Sequence, residues 1–449
     1  MNKFRQEFLL RLLKSLNAVM LTVPFACCWF YYYAGHIASP YYERGNWLVI
    51  ALFFVLYVVF GRIYGAFWIS LNRISESVYS QMLAVFMSSS IMYIIICLLD
   101  KGLANAVPLL ACFVVQLVLS VLWSLGAHIA YYAMFPATKT IIVYDERQGM
   151  EKLIHDYGFE KKFAVTKTLE VEECLENLDV LKSAETVFLS GVHSHERNII
   201  LKYCVEQGIM MYLVPRIGDV LMSGAQQMHM FHLPMLRVGR YNPSPWHTIA
   251  KRTFDVVSAG ALFLVISPLM LITAIAIKTD GGPVFYKQRR LTQDGKEFDV
   301  LKFRSMRVDA EKDGVARLST GDNDDRITKV GRFIRKVRID ELPQLLNIIS
   351  GSMSVVGPRP ERPEIASQYV KEMPEFSLRL QAKAGLTGYA QVYGKYNTTP
   401  YDKLQMDLMY ISNPSFWEDL RIIFATIKIL FVPESTEGVA EGQKTAMGK

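Results

Sequence analysis

The chain lacks the patterns on which disulfide-framed, zinc-binding and dinucleotide-binding proteins depend. Of six cysteines, Cys27, Cys28, Cys97 and Cys112 lie in apolar runs and Cys174 and Cys204 in the middle region. No two stand in C-x-x-C spacing, so neither a zinc site nor a disulfide framework is expected, and buried thiols are. Histidine is sparse; His36 and His128 read as span-end residues, and His193 and His195 as helix-start or solvated-loop residues rather than metal ligands. Charge is also scarce, at 20% of residues with a net +7. That excess suits an anionic membrane face and many soluble enzymes alike, and no nucleic-acid partner is expected. Lys3, Arg5, Arg11 and Lys14 precede the first apolar run with no small-residue cleavage site after it, so an uncleaved first span is expected.

Apolar sequence is abundant: 51% of residues are hydrophobic and 12% aromatic, too many for an ordinary soluble protein. Runs near Leu16 to Ile37, Trp47 to Tyr64, Val78 to Leu99 and Val107 to Phe135 each approach the roughly 20 residues needed to cross a bilayer core. The connectors 38–46 and 100–106 carry few cations, whereas the N-terminus, the Arg62 to Arg73 loop and the region after Lys139 carry more. A four-helix transmembrane bundle with both ends cytoplasmic is expected. Tyr31, Tyr32, Tyr33, Tyr41, Tyr42 and Trp47 around its first outward loop read as an interfacial aromatic belt.

From Thr140 short apolar runs alternate with helical patterns, which predicts a parallel sheet with crossover helices, a Rossmann-like α/β domain. Its first turn, Tyr144 to Gly149, lacks G-x-G-x-x-G. A structural or dimerising role is therefore expected rather than dinucleotide binding.

After the linker Asn242-Pro243-Ser244-Pro245, about 22 apolar residues run up to Lys278, enough to span a bilayer. Pro268 removes a backbone hydrogen bond mid-run, Ser267 can satisfy a freed carbonyl, and cations stand at both ends. A fifth crossing would also carry the rest of the chain outward, away from nucleotide substrates. A re-entrant helix broken at Ser267 and Pro268 is expected.

The densest chemistry lies in Arg326 to Leu346. Arg326, Lys329, Arg332, Arg335 and Arg338 recur every third residue and hold one drifting helical face, and the adjacent acids Asp340 and Glu341 follow. Tight Gly/Pro turns at Gly281-Gly282-Pro283 and Gly357-Pro358, with Arg359 and Arg362 alongside, can present N–H groups and cationic forks to phosphate oxygens. Asp340, kept ionised by the arginines, would serve as a nucleophile, and Glu341 would hold Mg2+ with substrate phosphates. An amphipathic basic helix on lipid headgroups, capped by Asp-Glu, is an equal reading of the same residues.

Lys302-Phe303-Arg304-Ser305-Met306, R-I-D-E-L-P-Q-L from Arg338, M-S-V-V-G-P-R-P from Met353 and G-L-T-G-Y-A-Q from Gly385 resemble the bacterial sugar transferase family of polyprenyl-phosphate phosphoglycosyl transferases. The resemblance covers about residues 246 to 433. With four preceding spans and a Rossmann-like insert, the chain resembles the large monotopic members that initiate capsule, exopolysaccharide or O-antigen synthesis.

That resemblance implies a bacterial inner-membrane enzyme with its catalytic domain on the cytoplasmic face. Its donor would be a UDP-sugar such as UDP-glucose or UDP-galactose, its acceptor undecaprenyl phosphate, its intermediate a phospho-sugar on Asp340, and UMP its leaving group. Catalytic positions fall on Asp340, Glu341, Lys302, Arg335, Arg359 and Asp407, and substrate-binding positions on Gln288, Arg289, Arg304, Thr387, Gly388 and Gln391. Glu341 takes the metal role. Departures stand at Arg290-Leu291-Thr292 and Lys395. The loop Val308 to Asp325 holds Asp322-Asn323-Asp324, which also reads as the D-x-D of a metal-dependent glycosyltransferase releasing UDP. Residues 419–432 read as an interfacial helix. The expected domains are 1–137 (four spans), 138–240 (Rossmann-like), 241–433 (re-entrant helix with an α+β catalytic domain) and 434–449 (polar tail). A homodimer is expected from the membrane and Rossmann surfaces; a non-catalytic scaffold is the remaining alternative.

Overall fold

The structure is a computed structural model that describes residues 3–41, 43–279, 281–307, 326–394 and 398–430. It divides into two compact units, Met1–Val214 and Pro215–Lys449. The Val308 to Asp325 loop, Lys395 and the polar tail lie outside the described residues.

The first unit opens with α1 (Lys3–Cys28, continued by a π-helical turn Trp29–Tyr33), α2 (Glu43–Tyr64), α3 (Ile74–Asp100) and α4 (Val107–Met134). All four are long and apolar enough to cross a membrane. They pack in a ring in which α1 touches α2 and α4, and α3 touches α2 and α4. Apolar side chains face both outward and inward, so packing alone leaves register weakly specified. An uncharged polar chain at the centre supplies it. Tyr57 donates to Asn17 Oδ1 (2.6 Å), Asn17 Nδ2 to Gln81 Oε1 (3.2 Å), Ser120 to the same oxygen (2.7 Å) and Gln81 Nε2 to Ser124 (3.2 Å).

The Rossmann-like part comprises β1 (Thr138–Tyr144), α5 (Met150–Asp156), β2 (Phe163–Glu170), α6 (Val171–Glu176), β3 (Thr186–Ser190), α7 (Ser194–Glu206) and β4 (Met210–Leu213). The strands are all parallel in the order β2-β1-β3-β4. β1 is central and buried on both faces, hence its continuous Ile141-Ile142-Val143. Its following turn is closed by the chain itself: Gly191, at φ 74°, packs so tightly on Arg147 that a Cβ there would lie 2.7 Å from the Arg147 nitrogen.

The second unit begins with α8 (Ile217–Ser223) and a hairpin of β5 (Gln226–Met230) and β6 (Leu233–Arg237). Val220 of α8 is buried with Leu404, Leu408 and Ile411, so the compact boundary falls at Val214 rather than at residue 240. Then come α9 (Pro245–Lys278), β7 (Phe285–Leu291), β8 (Glu297–Phe303), α10 (Lys329–Lys336), α11 (Gln344–Ser350), β9 (Ser354–Val356), α12 (Pro363–Glu372), β10 (Gly385–Thr387), α13 (Tyr389–Tyr393), α14 (Pro400–Ser412) and α15 (Phe416–Leu430). β7 and β8 form an antiparallel hairpin; β9 and β10 pair in parallel.

α9 organises this unit. It runs on as one helix through Pro268, where Ser267 Oγ donates to the Leu264 carbonyl (2.8 Å). Arg252, Asp255, Ala259, Phe263, Ile266, Met270, Ala274 and Ile277, spaced three or four apart, all engage the rest of the unit. At about 1.5 Å per residue that stripe is roughly 38 Å long. Asp255 accepts from Ser354 Oγ (2.8 Å) and Val355 N (3.0 Å), while Arg252 donates to the last carbonyls of α11, those of Ile348 (2.7 Å) and Ile349 (2.8 Å). The other face is bare and apolar: Leu264, Val265 and Ile272 are among its most exposed residues.

Candidate active site

The basic stretch around the two acids is not one helix. α10 stops at Lys336, Arg338 takes a left-handed conformation (φ 56°), and Ile339–Glu341 form a 3-10 turn that leads through Pro343 into α11. Pro343 sets that break, since its ring fits a helix start but not an interior. Asp340 and Glu341 therefore stand on a short turn between two helices, and both ends of α11 are held: its last carbonyls by Arg252, its start by the turn.

α11 also sets the position of the facing lysine. Asn347 accepts from Leu301 N (2.9 Å) and donates to the Asp299 carbonyl (2.8 Å), clamping β8 as a neighbouring strand would. Phe303 turns into the core and stacks on Phe285. Lys302, its neighbour, points the other way by strand alternation. Its Nζ reaches Glu341 Oε1 at 3.3 Å.

Arg359 closes the arrangement from the Gly-Pro-Arg-Pro turn. One guanidinium nitrogen lies 3.6 Å from Glu341 Oε1 and another donates to Gln391 Oε1 at 3.1 Å. This turn is locked by backbones in contact. A Cβ on Gly357 would stand 2.2 Å from the Lys383 carbonyl, and one on Gly388 would stand 2.1 Å from that of Gly357. Glycine is required there because no side chain fits, irrespective of φ.

The two acids are electrically unlike. Burial, followed by the Glu341 charge, pushes Asp340 up to about 6 against the pull of Lys302, Arg335 and Arg338. Lys302, Arg335 and Arg338 offset part of the desolvation, which leaves Asp340 ionised at neutral pH but more basic than an ordinary aspartate. For Glu341 burial also pushes upward, but Lys302, Arg359 and Arg338 together hold it down at about 2. One acid is a fixed anion and the other a basic carboxylate, the division that acid–base and nucleophilic sites employ.

The remaining sequence candidates have contacts of a different kind. Asp407, 1% exposed, meets Arg379 at 2.7 Å. Arg379 also faces Glu361 (3.5 Å) and donates to the Arg359 carbonyl (2.9 Å), so Asp407 reaches the dyad's surroundings through Arg379. Burial raises Asp407 to about 6 although Arg379 opposes it. Gln288 accepts two bonds from Arg290, itself directed at the Pro360 carbonyl (3.0 Å) and Glu361 (3.9 Å). Arg304 is buried and donates to the Ile277 and Gly281 carbonyls at the exit of α9. Arg289 faces Glu297 at the surface, and Thr387 bonds Thr426 of α15 (2.6 Å). Thr292, a departure from the family pattern, is a joint: its hydroxyl donates to the Ser352 carbonyl and accepts from Ala384 N, each at 3.1 Å.

Asn347, Glu361 and Arg379 were not singled out from sequence. Each acts through long-range pairing, and the signal was limited to their places beside the M-S-V-V-G-P-R-P and G-L-T-G motifs. Among the described residues no three His, Cys, Asp or Glu side chains gather as a metal cage. A pair of adjacent carboxylates fits Mg2+ when substrate phosphate oxygens complete the shell, and does not fit a structural metal.

A family model described as Bacterial sugar transferase matches residues 246–433. A UDP-glucose:undecaprenyl-phosphate glucose-1-phosphate transferase of Caulobacter vibrioides is 39% identical over 206 residues, 44% of this chain and 76% of that protein. The chain belongs to the bacterial sugar transferase family. A UDP-N-acetylgalactosamine-undecaprenyl-phosphate N-acetylgalactosaminephosphotransferase of Aeromonas hydrophila is 37% identical over 234 residues, 51% of this chain and 54% of that one. An Escherichia coli K12 UDP-glucose:undecaprenyl-phosphate glucose-1-phosphate transferase is 39% identical over 212 residues, 46% and 44% of the two chains. The chain thus spans about half the length of the latter two relatives. In this bacterial sugar transferase the matched segment begins at the start of α9 and contains every residue of the site.

Proposed function

We propose that this chain transfers a sugar 1-phosphate from a UDP-sugar to undecaprenyl phosphate at the inner membrane, with its catalytic unit on the cytoplasmic face. The observation that carries the reading is the dyad itself. A basic carboxylate, Asp340, stands beside an anion fixed by Lys302 and Arg359, with Arg335 and Arg338 acting on both the charge and the approach of phosphate. An Asp340 oxygen attacks the sugar-linked phosphorus of the donor; the P–O bond to the nucleotide breaks and UMP leaves with the electron pair. An oxygen of undecaprenyl phosphate then attacks the same phosphorus, and Asp340 departs as a carboxylate. Charge balances in both steps without a net proton transfer.

Lys302, Arg335 and Arg359 neutralise the transferring phosphoryl group, which in such reactions is most of the catalytic work. Gln391 orients Arg359. Glu341 with Asp340 would hold Mg2+, which supplies further charge neutralisation at the phosphates. The names of relatives support glucose, galactose and N-acetylgalactosamine as the donor sugars to test.

The α9 stripe supports a re-entrant or in-plane placement. A helix packed on one compact unit from Arg252 to Ile277 favours both its ends lying near one membrane face. The test is a UMP-release assay with undecaprenyl phosphate, Mg2+ and a panel of UDP-sugars. Asp340→Asn should abolish UMP release and the radiolabelled sugar-phosphate adduct on the protein. Full turnover in that variant refutes the nucleophile; release of UDP instead of UMP favours a glycosyltransferase using Asp322 and Asp324, which lie outside the described residues.

A further inference from the structure

The ring of four N-terminal helices has a seam with no connector. Consecutive helices are joined by the links after α1, α2 and α3, whereas α1 and α4, first and last, meet through packing alone. Four contacts trace that seam. Gln6 Nε2 donates to the Met134 carbonyl (2.9 Å), Trp123 Nε1 to that of Leu13 (3.3 Å) and Gln116 Nε2 to that of Leu21 (2.7 Å), and the Cys28 and Cys112 thiols are hydrogen-bond partners. On α1, Gln6, Leu13, Leu21 and Cys28 return to one face about every two turns. Their partners run the opposite way along α4, as an antiparallel pair requires. The two cysteines therefore oppose each other by register as well as by contact.

Both thiols are buried, Cys28 at 6% and Cys112 at 7% exposure, while the adjacent Cys27 is turned outward. Each stands about 8 Å from the end of its helix, since α1 with its π-helical turn runs on to Tyr33 and α4 begins at Val107. Tyr33 stands near both thiols, and its hydroxyl donates to the Asn105 carbonyl (2.6 Å), which ties the link before α4 over the pair. This end of the bundle is the one remote from Lys3 and Met134, where the chain enters and leaves it. C-x-x-C spacing reports dithiols within one segment and is blind to a pair shared by two helices.

We propose that Cys28 and Cys112 are a disulfide site that closes the helix ring. With the entry and exit of the bundle on the cytoplasmic side, this end faces the outer compartment, where disulfides form and persist. The co-reactant is a low-molecular-weight disulfide. The thiolate of one cysteine attacks it, its S–S bond breaks and one thiol leaves; the thiolate of the other cysteine attacks the mixed disulfide and releases the second thiol. One S–S bond is lost, one is gained between α1 and α4, and the two protons end on the released thiols. The inference rests on the proposed membrane placement and not on the transfer reaction.

The test uses the full chain in right-side-out membrane vesicles treated with oxidised glutathione, an impermeant disulfide. Free thiols are trapped with iodoacetamide in denaturant, and peptides are mapped by mass spectrometry with and without prior dithiothreitol. A reducible cross-link between the peptides bearing Cys28 and Cys112 is expected, absent from Cys28→Ser and Cys112→Ser and unchanged in Cys27→Ser. Full alkylation of both cysteines in the parent protein overturns the proposal, as does glutathione held on either one without the cross-link. Cross-linking confined to inverted vesicles overturns it too, since the pair then faces inward. Oxidation should raise the thermal unfolding midpoint in detergent by about 5 °C or more, as closing a long loop does; equal midpoints overturn the ring-closing role. None of these readouts needs a UDP-sugar, so a failed cross-link leaves the transfer reading intact, and a failed transfer assay leaves the cross-link standing.

Discussion

Asp340 titrates where cells live, and the sign of its effect follows from its cause. Burial and Glu341 raise it to about 6, so below that pH the carboxyl is protonated and unable to act as the nucleophile of the proposed reaction. The rate should fall about tenfold per pH unit on the acid side. Glu341, held at about 2, stays ionised and adds no second limb above pH 4. Asp407 is also raised to about 6, so the profile must be repeated in Asp407→Asn: persistence of the limb assigns it to Asp340, its loss to Asp407. Arg379 gives a second prediction. Its removal leaves Asp407 buried without its ion-pair partner, which costs about 3–5 kcal/mol, so Arg379→Ala should lower the thermal unfolding midpoint steeply. Arg379→Met with Asp407→Leu should be less destabilised than Arg379→Ala alone, because the buried Asp407 charge is removed with its partner and Glu361 keeps Arg290 (3.9 Å). At this scale the dyad, Lys302, Arg359 and Gln391 were readable because they sit in ordered motifs. The Asp407 partner was not, since a buried ion pair between residues far apart in sequence leaves no local spacing.

Elements bring those residues together through backbones packed without room for a side chain. Gly357→Ala places a Cβ 2.2 Å from the Lys383 carbonyl. It should force β9 and β10 apart, cost about 1–3 kcal/mol and shift Arg359 away from Glu341. A drop in kcat larger than the drop in unfolding midpoint explains is the expected result, and an unchanged kcat would dissociate the turn from the chemistry. The helical pattern from Arg326 predicted a continuous basic face. The chain instead breaks it at Arg338, because Pro343 requires a helix start and the acids need a turn to face Lys302. Periodicity identified the residues of α10 and could not identify its end. The inner strands β1 and β3, by contrast, were legible as short apolar runs, since a parallel strand buried on both faces leaves that signature.

On the scale of the whole molecule, hydropathy distinguishes apolar helices but not the medium on each face. α9 is long and apolar enough to cross a membrane, yet one of its stripes is occupied along its length by the catalytic unit. Cysteines placed at Trp246 and Lys278, both exposed, should label from the same side with an impermeant reagent; opposite sides would restore a fifth crossing. Lys251 is unsuitable for that purpose, being tied to Asp419 (2.8 Å) and Tyr410 (3.0 Å). The second unit also has its own cores, built from residues after 214. The aligned 206 residues make up 76% of the Caulobacter relative, leaving too little of that protein for a counterpart of residues 1–214. A fragment beginning at Pro215 should therefore retain UMP release in detergent, and its inactivity would assign the first unit a part in the chemistry.

The uncharged chain inside the four N-terminal helices bears on how the protein is made. Asn17 and Tyr57 can pair as soon as α1 and α2 have left the ribosome, but the second amide hydrogen-bond set waits for Gln81, and Gln81 for Ser120 and Ser124. Helices delivered to a bilayer in chain order would each bring a group that the earlier ones lack, and a chain truncated after α3 should leave Gln81 without its Ser120 and Ser124 partners, measurable as weaker association of α3 with α1.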